Sequence, residues 1–158
     1  MIEIERKFLV KNFPPDFMNY TAEVIVQGYI TTMKDKTQVR LRKIGCSNQY
    51  FLTIKTKAGY EMQRTETEVL LTQPQFDSLW PTVDKRIIWK IRRHIPYGNH
   101  TLVLDIYQDS LSGLMTVEVE FSSLEQALAF TPPDWVEREI TTDENYGVRR
   151  LAELGLSK

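Results

Sequence analysis

Cysteine is nearly absent: Cys46 is the only one. No intrachain disulfide can form, which suits a reducing compartment such as the cytoplasm. Long apolar runs are missing too, and none approaches the roughly 20 residues that a membrane-spanning helix needs. Met1 to Lys7 is charged and alternating and lacks the apolar stretch of a secretory signal. Neither sign of charge is in excess: 20 Lys and Arg face 21 Asp and Glu, for a net charge of -1. This balance argues against nucleic acid or a membrane as partner. Histidine is scarce, and His94 and His100 fall in or beside an expected hairpin loop, so no His/Cys cluster offers itself to zinc. Repeats, low-complexity tracts and flexible linkers are absent. The 158 residues read as one domain, 1–158, long enough to bury a core without cross-links.

What is abundant is alternation at period two, the mark of strands with one buried face. Eight segments carry it: Ile2–Val10, Glu23–Thr32, Thr37–Ile44, Tyr50–Lys57, Glu61–Leu71, Arg86–Ile95, Leu102–Asp109 and Met115–Phe121. The short breaks Met33–Lys36, Gly45–Gln49, Ala58–Tyr60, Tyr97–Thr101 and Ser110–Leu114 read as hairpin loops, so neighbours should be antiparallel. Three segments read as helices. Thr72–Leu79 opens on a capping Thr followed by Gln-Pro. Ser122–Phe130 opens on Ser122-Ser123 with Glu125 and Gln126 in its first turn. Tyr146–Leu154 ends at Gly155. Pro14-Pro15 marks a connection after the first strand, and Trp80, Trp89 and Trp135 read as packing residues.

Residues i and i+2 of a strand share a side. The first strand thus groups Glu3, Glu5 and Lys7, with Ile2, Ile4 and Phe8 opposite. The same parity groups Arg40 with Arg42, Lys55 with Lys57, Arg64 with Glu66 and Glu68, Lys90 with Arg92, and Glu118 with Glu120; Asp105 stands opposite Leu104 and Ile106. A sheet with one face in water would show alternation as well. Such a face gains nothing from like charges two apart, which repel. Eight strands with short connections can instead close into a barrel that eliminates edges. The expected fold is therefore mostly β (α+β): an eight-stranded antiparallel closed barrel with a few flanking helices. Its charged faces would line a lumen, and the helices would cover its apolar outside.

Such a lumen cannot be dry and unpaired. Crowded carboxylates take up protons or bind cations, and an all-oxygen set suits Mg²⁺ or Mn²⁺. The bases call for a polyanion, with Arg forks gripping phosphate oxygens. Phosphate, hard cation and carboxylates together are the equipment of metal-assisted phosphoryl transfer.

The run Glu3-Ile4-Glu5-Arg6-Lys7 resembles the ExExK signature of the CYTH superfamily, the triphosphate tunnel metalloenzymes. The likeness continues in order through Gln27-Gly28-Tyr29, Val39-Arg40-Leu41-Arg42, Leu52-Thr53-Ile54-Lys55, Arg64-Thr65-Glu66-Thr67-Glu68, Lys90-Ile91-Arg92, Leu104-Asp105 and Val117-Glu118-Val119-Glu120-Phe121. It is strongest to the short bacterial members that act on inorganic triphosphate. The resemblance implies an eight-stranded tunnel and a hydrolase that splits inorganic triphosphate into pyrophosphate and phosphate with Mg²⁺ or Mn²⁺. It implies Glu3, Glu5 and Glu118 as ligands of a first metal, and Glu66 or Glu68, Asp105 and Glu120 as ligands of a second. Lys7, Arg40, Arg42, Lys55, Lys57, Arg64, Lys90, Arg92 and Arg149 would bind substrate. Glu5, Lys55 and Glu120 are the expected catalytic residues. Tyr29 and Tyr146 are candidates to contact the site, or packing residues with a wet hydroxyl.

Other triphosphate chemistries compete. An organic triphosphate, of a nucleoside or of thiamine, needs a stacking pocket at the tunnel mouth, and the sequence identifies none. An adenylyl cyclase must also position a ribose hydroxyl, on which the sequence is silent. A polyphosphate- or nucleotide-binding module could dispense with the acids, all of which are present. The expected partner is a small-molecule triphosphate, and a homodimer is compatible with the sequence.

Overall fold

The computed structural model describes residues 1–57 and 62–157. The expected loop Ala58–Tyr60, and Glu61 after it, lie outside the described residues. Among the described residues nine strands form: β1 (Ile2–Val10), β2 (Ala22–Tyr29), β3 (Gln38–Ile44), β4 (Gln49–Lys57), β5 (Gln63–Leu71), β6 (Ile87–Tyr97), β7 (His100–Tyr107), β8 (Met115–Glu120) and β9 (Val136–Glu139). The helices are α1 (Gln73–Leu79), α2 (Leu124–Ala129) and α3 (Val148–Leu154). No helix among the described residues is long and apolar enough to cross a membrane.

The sheet order is β5-β4-β3-β2-β6-β7-β8-β1-β9, and β1 also pairs with β5. That last pairing closes eight antiparallel strands into a barrel. β1 is the shared stave: Ile2 to Ile4 pair with β5, Glu5 to Leu9 with β8, and Phe8 to Val10 with β9. The strand β9 has no counterpart in the sequence reading, because Val-Glu-Arg-Glu shows little apolar alternation. It is held by Arg6, whose guanidinium forms a bidentate pair with Glu139 (2.8 and 2.6 Å) and donates to the Ala127 and Phe130 carbonyls at the end of α2.

The helices start where the caps predict. Thr72 and Gln75 form a reciprocal capping box on α1, and Ser123 accepts from the Gln126 N–H of α2. The third helix begins later than expected. Glu144–Tyr146 makes a separate 3₁₀ turn, and extended Gly147 intervenes before Val148. The β6–β7 hairpin is also tighter than the expected Tyr97–Thr101 loop, since Gly98 adopts a left-handed φ of 57° that lets the strands continue to Tyr97 and His100.

Apolar residues of the outward parity pack in two places. Phe8, Ile95, Leu102, Leu104, Val117 and Val119 meet Ala127 and Phe130 beside α2. Leu41 and Tyr50 meet Phe76 of α1 and Val83 of the following 3₁₀ turn. Burying a side chain of this size contributes about 1.5–3 kcal/mol each. That turn lies so close to β2 that a Cβ at Gly28 would sit 2.8 Å from the Val83 side chain. A third cluster joins inward Leu9, Tyr29, Ile88 and Tyr107 to Leu111, Leu114, Ile140 and Leu151, forming an apolar floor under part of the lumen. Trp80 stacks on Phe76 and Trp135 packs beside α2, as expected of packing residues. Trp89 instead stands on the outer wall at 45% exposure.

Candidate active site

The cross-strand register shows how the parity groups meet. Glu5 lies opposite Glu120, Lys7 opposite Glu118, Glu3 opposite Arg64, Lys55 opposite Glu66, and Arg92 opposite Asp105. The charged parity faces the lumen and, among the described residues, forms three sets of ion pairs, around Lys55, around Asp105 with Glu118, and between Arg42 and Glu68. Lys55 Nζ lies 2.7 Å from both Glu3 and Glu66. Lys7 reaches Glu118 at 3.0 Å, and Arg42 reaches Glu68 at 2.9 Å. Asp105, fully buried, accepts from Lys90 at 2.7 Å and from two nitrogens of Arg92 at 2.7 and 2.8 Å. Charge-assisted contacts this short are the strong kind.

Arg40 differs from these cations. Its guanidinium has no carboxylate partner among the described residues, and its Nε is buried without an acceptor. A buried unsatisfied donor of this kind costs free energy until something accepts from it.

The electrostatics divide the acids into two groups. Burial, and next the nearby Glu5, push Glu3 up to about 7. Glu5 is raised by burial and then by Glu118. On the other side of the lumen burial is overcome. Lys7, Lys90 and Arg92 hold Glu118 well below the usual carboxylate range, and Arg92 with Lys90 lowers Asp105. The lumen therefore has an acid-rich flank at Glu3 and Glu5 and a base-rich flank around Arg92. Among the described residues no three His, Cys, Asp or Glu side chains gather in the geometry of a metal site. Several of the expected ligands are engaged with lysine or arginine instead.

The remaining expected residues lie nearer the margins. Glu120 is exposed at the lumen mouth, Lys57 is exposed at the end of β4, and Arg64 faces Lys57 in register. Arg149 of α3 is turned to the loop after β2, donating to Thr31 Oγ1 (3.4 Å) and the Thr37 carbonyl (3.1 Å). Tyr146 packs against the apolar floor under the Arg138 guanidinium, 5.3 Å away, and not in the lumen. Tyr29 is buried, with its hydroxyl accepting from Gln27 Nε2 at 2.9 Å.

Sequence reasoning passed over the neutral lining: Thr53, whose hydroxyl donates to Glu68 at 2.9 Å, and the buried Gln27, Thr116 and Tyr107. Thr53, Thr116 and Tyr107 share the charged parity of their strands, so that parity was the available signal, while Gln27 was met only within the Gln27-Gly28-Tyr29 segment. At the mouth, His94 pairs with Glu23 at 3.2 Å. Beside them a groove of about 790 Å³ is lined by Asn99, His100, Thr101, Glu120, Ser122 and Gln126.

A closed antiparallel barrel whose interior is a lattice of acids and bases defines a charged-tunnel protein. The chain belongs to the CYTH domain family, whose model matches residues 1–148. It is 42% identical over 154 residues to an inorganic triphosphatase of Nitrosomonas europaea, covering 96% of this chain and 97% of that protein. It is 31% identical to an inorganic triphosphatase of Acetivibrio thermocellus over 91% of this chain and 88% of the other. A solved structure of an inorganic triphosphatase superposes with a TM-score of 0.69 at 40% identity, covering 95% of this chain and 93% of that one.

Proposed function

We propose that the lumen binds inorganic triphosphate and hydrolyses it to pyrophosphate and phosphate, in the cytoplasm and with Mg²⁺ or Mn²⁺. The observation that carries this reading is Arg40, a half-buried guanidinium aimed into the lumen with a donor unspent. It sits in a lumen that also holds Lys7, Lys55, Lys90 and Arg92. A compact polyanion supplies the acceptors that these donors need, and the relatives named inorganic triphosphatases support the choice.

The acids fit a hard cation. Burial and neighbouring acids raise both Glu3 and Glu5, and Glu5 faces Glu120 across the strands. A divalent ion would relieve that repulsion, and all the donors are carboxylate oxygens. Glu3, Glu5, Glu118 and Glu120 would hold it, with Glu66 and Glu68 available to a second. The ion would supply charge neutralisation and an activated water. Asp105 is already committed to Lys90 and Arg92, and its role here is to hold those two cations in place. Lys55, between Glu3 and Glu66, is positioned to exchange its carboxylates for phosphate oxygens. Arg40, Arg42 and Arg92 fix the substrate in line, since transfer of this kind depends mainly on positioning and electrostatics.

The mouth groove favours a second reading, hydrolysis of an organic triphosphate, because its neutral donors and acceptors leave room for a group outside the lumen. Phosphate release from triphosphate, ATP, thiamine triphosphate and pyrophosphate, each with Mg²⁺, Mn²⁺ or chelator, separates the readings. Triphosphate should be cleaved fastest and chelator should stop it. Glu5→Gln should lose turnover by at least about 100-fold while the fold survives, the scale on which a positioned charge acts in catalysis. Faster cleavage of ATP than of triphosphate overturns the substrate, and turnover in chelator overturns the metal.

A further inference from the structure

Two hydroxyls stand where the charged lumen meets its apolar floor. Tyr107 belongs to the floor cluster with Leu9, Tyr29 and Ile88, and it shares the lumen side of β7 with Asp105. Thr116 lies directly opposite Asp105 on β8. It is diagonal to Tyr107, whose N–H donates to the Leu114 carbonyl, and an aromatic side chain can span that diagonal. Tyr107 is 1% exposed and Thr116 0%. Neither Tyr107 Oη nor Thr116 Oγ1 has a hydrogen-bond partner among the described residues. Two such atoms side by side cost free energy until something bonds to them.

The charges around them are already committed. Lys90, level with Tyr107 on β6, holds its ammonium 5.8 Å from the Tyr107 ring centroid and donates to Asp105. Lys7 is paired with Glu118. Burial pushes the Tyr107 hydroxyl up to about 12, while Lys7 draws it down. Tyr107 therefore keeps its proton at neutral pH and is a donor. The apolar floor lies beneath, so an anion that reaches this depth does so end first.

We propose that Tyr107 and Thr116 bind the end phosphoryl group of the anion, each hydroxyl donating to one of its oxygens. Neutral donors suit this place. A further ammonium would add to the repulsion from Arg92 that, after burial, draws Lys90 down to about 7. A hydroxyl adds a donor without adding charge. It can also accept, so it serves the end group with or without the proton that a terminal phosphate takes up at a pH of about 6. This inference rests on the reading that triphosphate occupies the lumen, and it adds two binding side chains to that reading.

The test compares the parent chain with Tyr107→Phe, Thr116→Val and Arg40→Ala, in triphosphate hydrolysis with Mg²⁺ and in thermal unfolding without anion. Tyr107→Phe should raise KM by about 10-fold, the scale of one hydrogen bond to a charged group, with more of the loss in KM than in kcat. Thr116→Val should act in the same direction, and it decides the matter if Tyr107→Phe fails to fold. Without anion both variants should unfold at or above the parent midpoint, because each removes a buried polar atom that lacks a partner. Hydroxyls that serve only each other, or a bridging water, give a lower midpoint and an unchanged KM, which overturns the proposal. Arg40→Ala separates the two possible failures. If it raises KM while the hydroxyl variants do not, this inference falls and the lumen reading stands. If it too leaves KM unchanged, the reading that places triphosphate in the lumen falls as well.

Discussion

Replacing Asp105 by asparagine removes one negative charge from a fully buried position that holds two cations. Its oxygens accept from Lys90 Nζ and Arg92 Nε at 2.7 Å and from Arg92 Nη2 at 2.8 Å. Asparagine keeps the shape but leaves Lys90 and Arg92 facing each other with only Glu118 among the described residues, 3.7 Å from Arg92, as a nearby counter-charge. Breaking a buried pair from one side costs about 3–5 kcal/mol. Lys90 can soften the loss by releasing its proton, since burial and then Arg92 already draw it down to about 7. The lower half of that range is therefore expected. At about 2–4 °C per kcal/mol for a chain of this size, the unfolding midpoint should fall by roughly 6–16 °C. The assay is thermal unfolding in chelator and without phosphate. Triphosphate should then stabilise Asp105→Asn more than the parent protein, because the polyanion replaces the missing charge. A metal-ligating role for Asp105 gives the opposite result in chelator, as neutralising a crowded acid would leave the midpoint unchanged or raise it. A change smaller than about 2 °C, well under one broken buried pair, would refute the reasoning.

Other outcomes follow from the same geometry. In chelator, stability should decline as pH rises, because Glu3 is raised from 4.5 to about 7 in the fold. Its contribution is full below about 4.5 and lost through about 7, up to about 3 kcal/mol shared with Glu5. Urea unfolding against pH should show this slope, Glu3→Gln should flatten it, and an unchanged slope in Glu3→Gln counts against the assignment. Gly28→Ala drives a Cβ into the Val83 side chain at 2.8 Å and should cost about 1–3 kcal/mol. Adding Val83→Ala should recover part of that loss in the same unfolding assay. Arg40→Ala should raise KM for triphosphate by about 10-fold or more, the scale of a charge-assisted hydrogen bond. Thermal stability should hold or improve, since Arg40 Nε lacks a partner; a lower midpoint with unchanged KM would make Arg40 structural.

The barrel was legible because its strands alternate so regularly. The parity that groups Glu3, Glu5 and Lys7 also assigns Glu118, Glu120, Arg40 and Arg42 to one interior. What the parity withholds is the register between strands, and the register decides who pairs with whom. Asp105 reads as one more acid in the sequence, yet its place opposite Arg92 makes it a counter-ion for two bases. Thr53 and Thr116 escaped notice because a hydroxyl carries no charge pattern, although both lie on the charged parity. The apolar floor was hidden for a related reason: Leu9 and Tyr107 break the charge run at the strand ends, where packing on Leu111, Leu114, Ile140 and Leu151 takes over. β9 depends on Arg6 and Glu139, a contact between residues 133 positions apart that no local window contains.

Lys55 holds Glu3 and Glu66 at the same time. Any anion that claims its ammonium group therefore turns two acids loose in one stroke, beside a wall already short of positive charge. Each guest loosens the latch that excludes the other, so anion and metal should recruit one another, and by thermodynamic reciprocity they must do so equally. The tunnel is in this sense a spring-loaded lock with two keys, and either key alone turns it only part of the way.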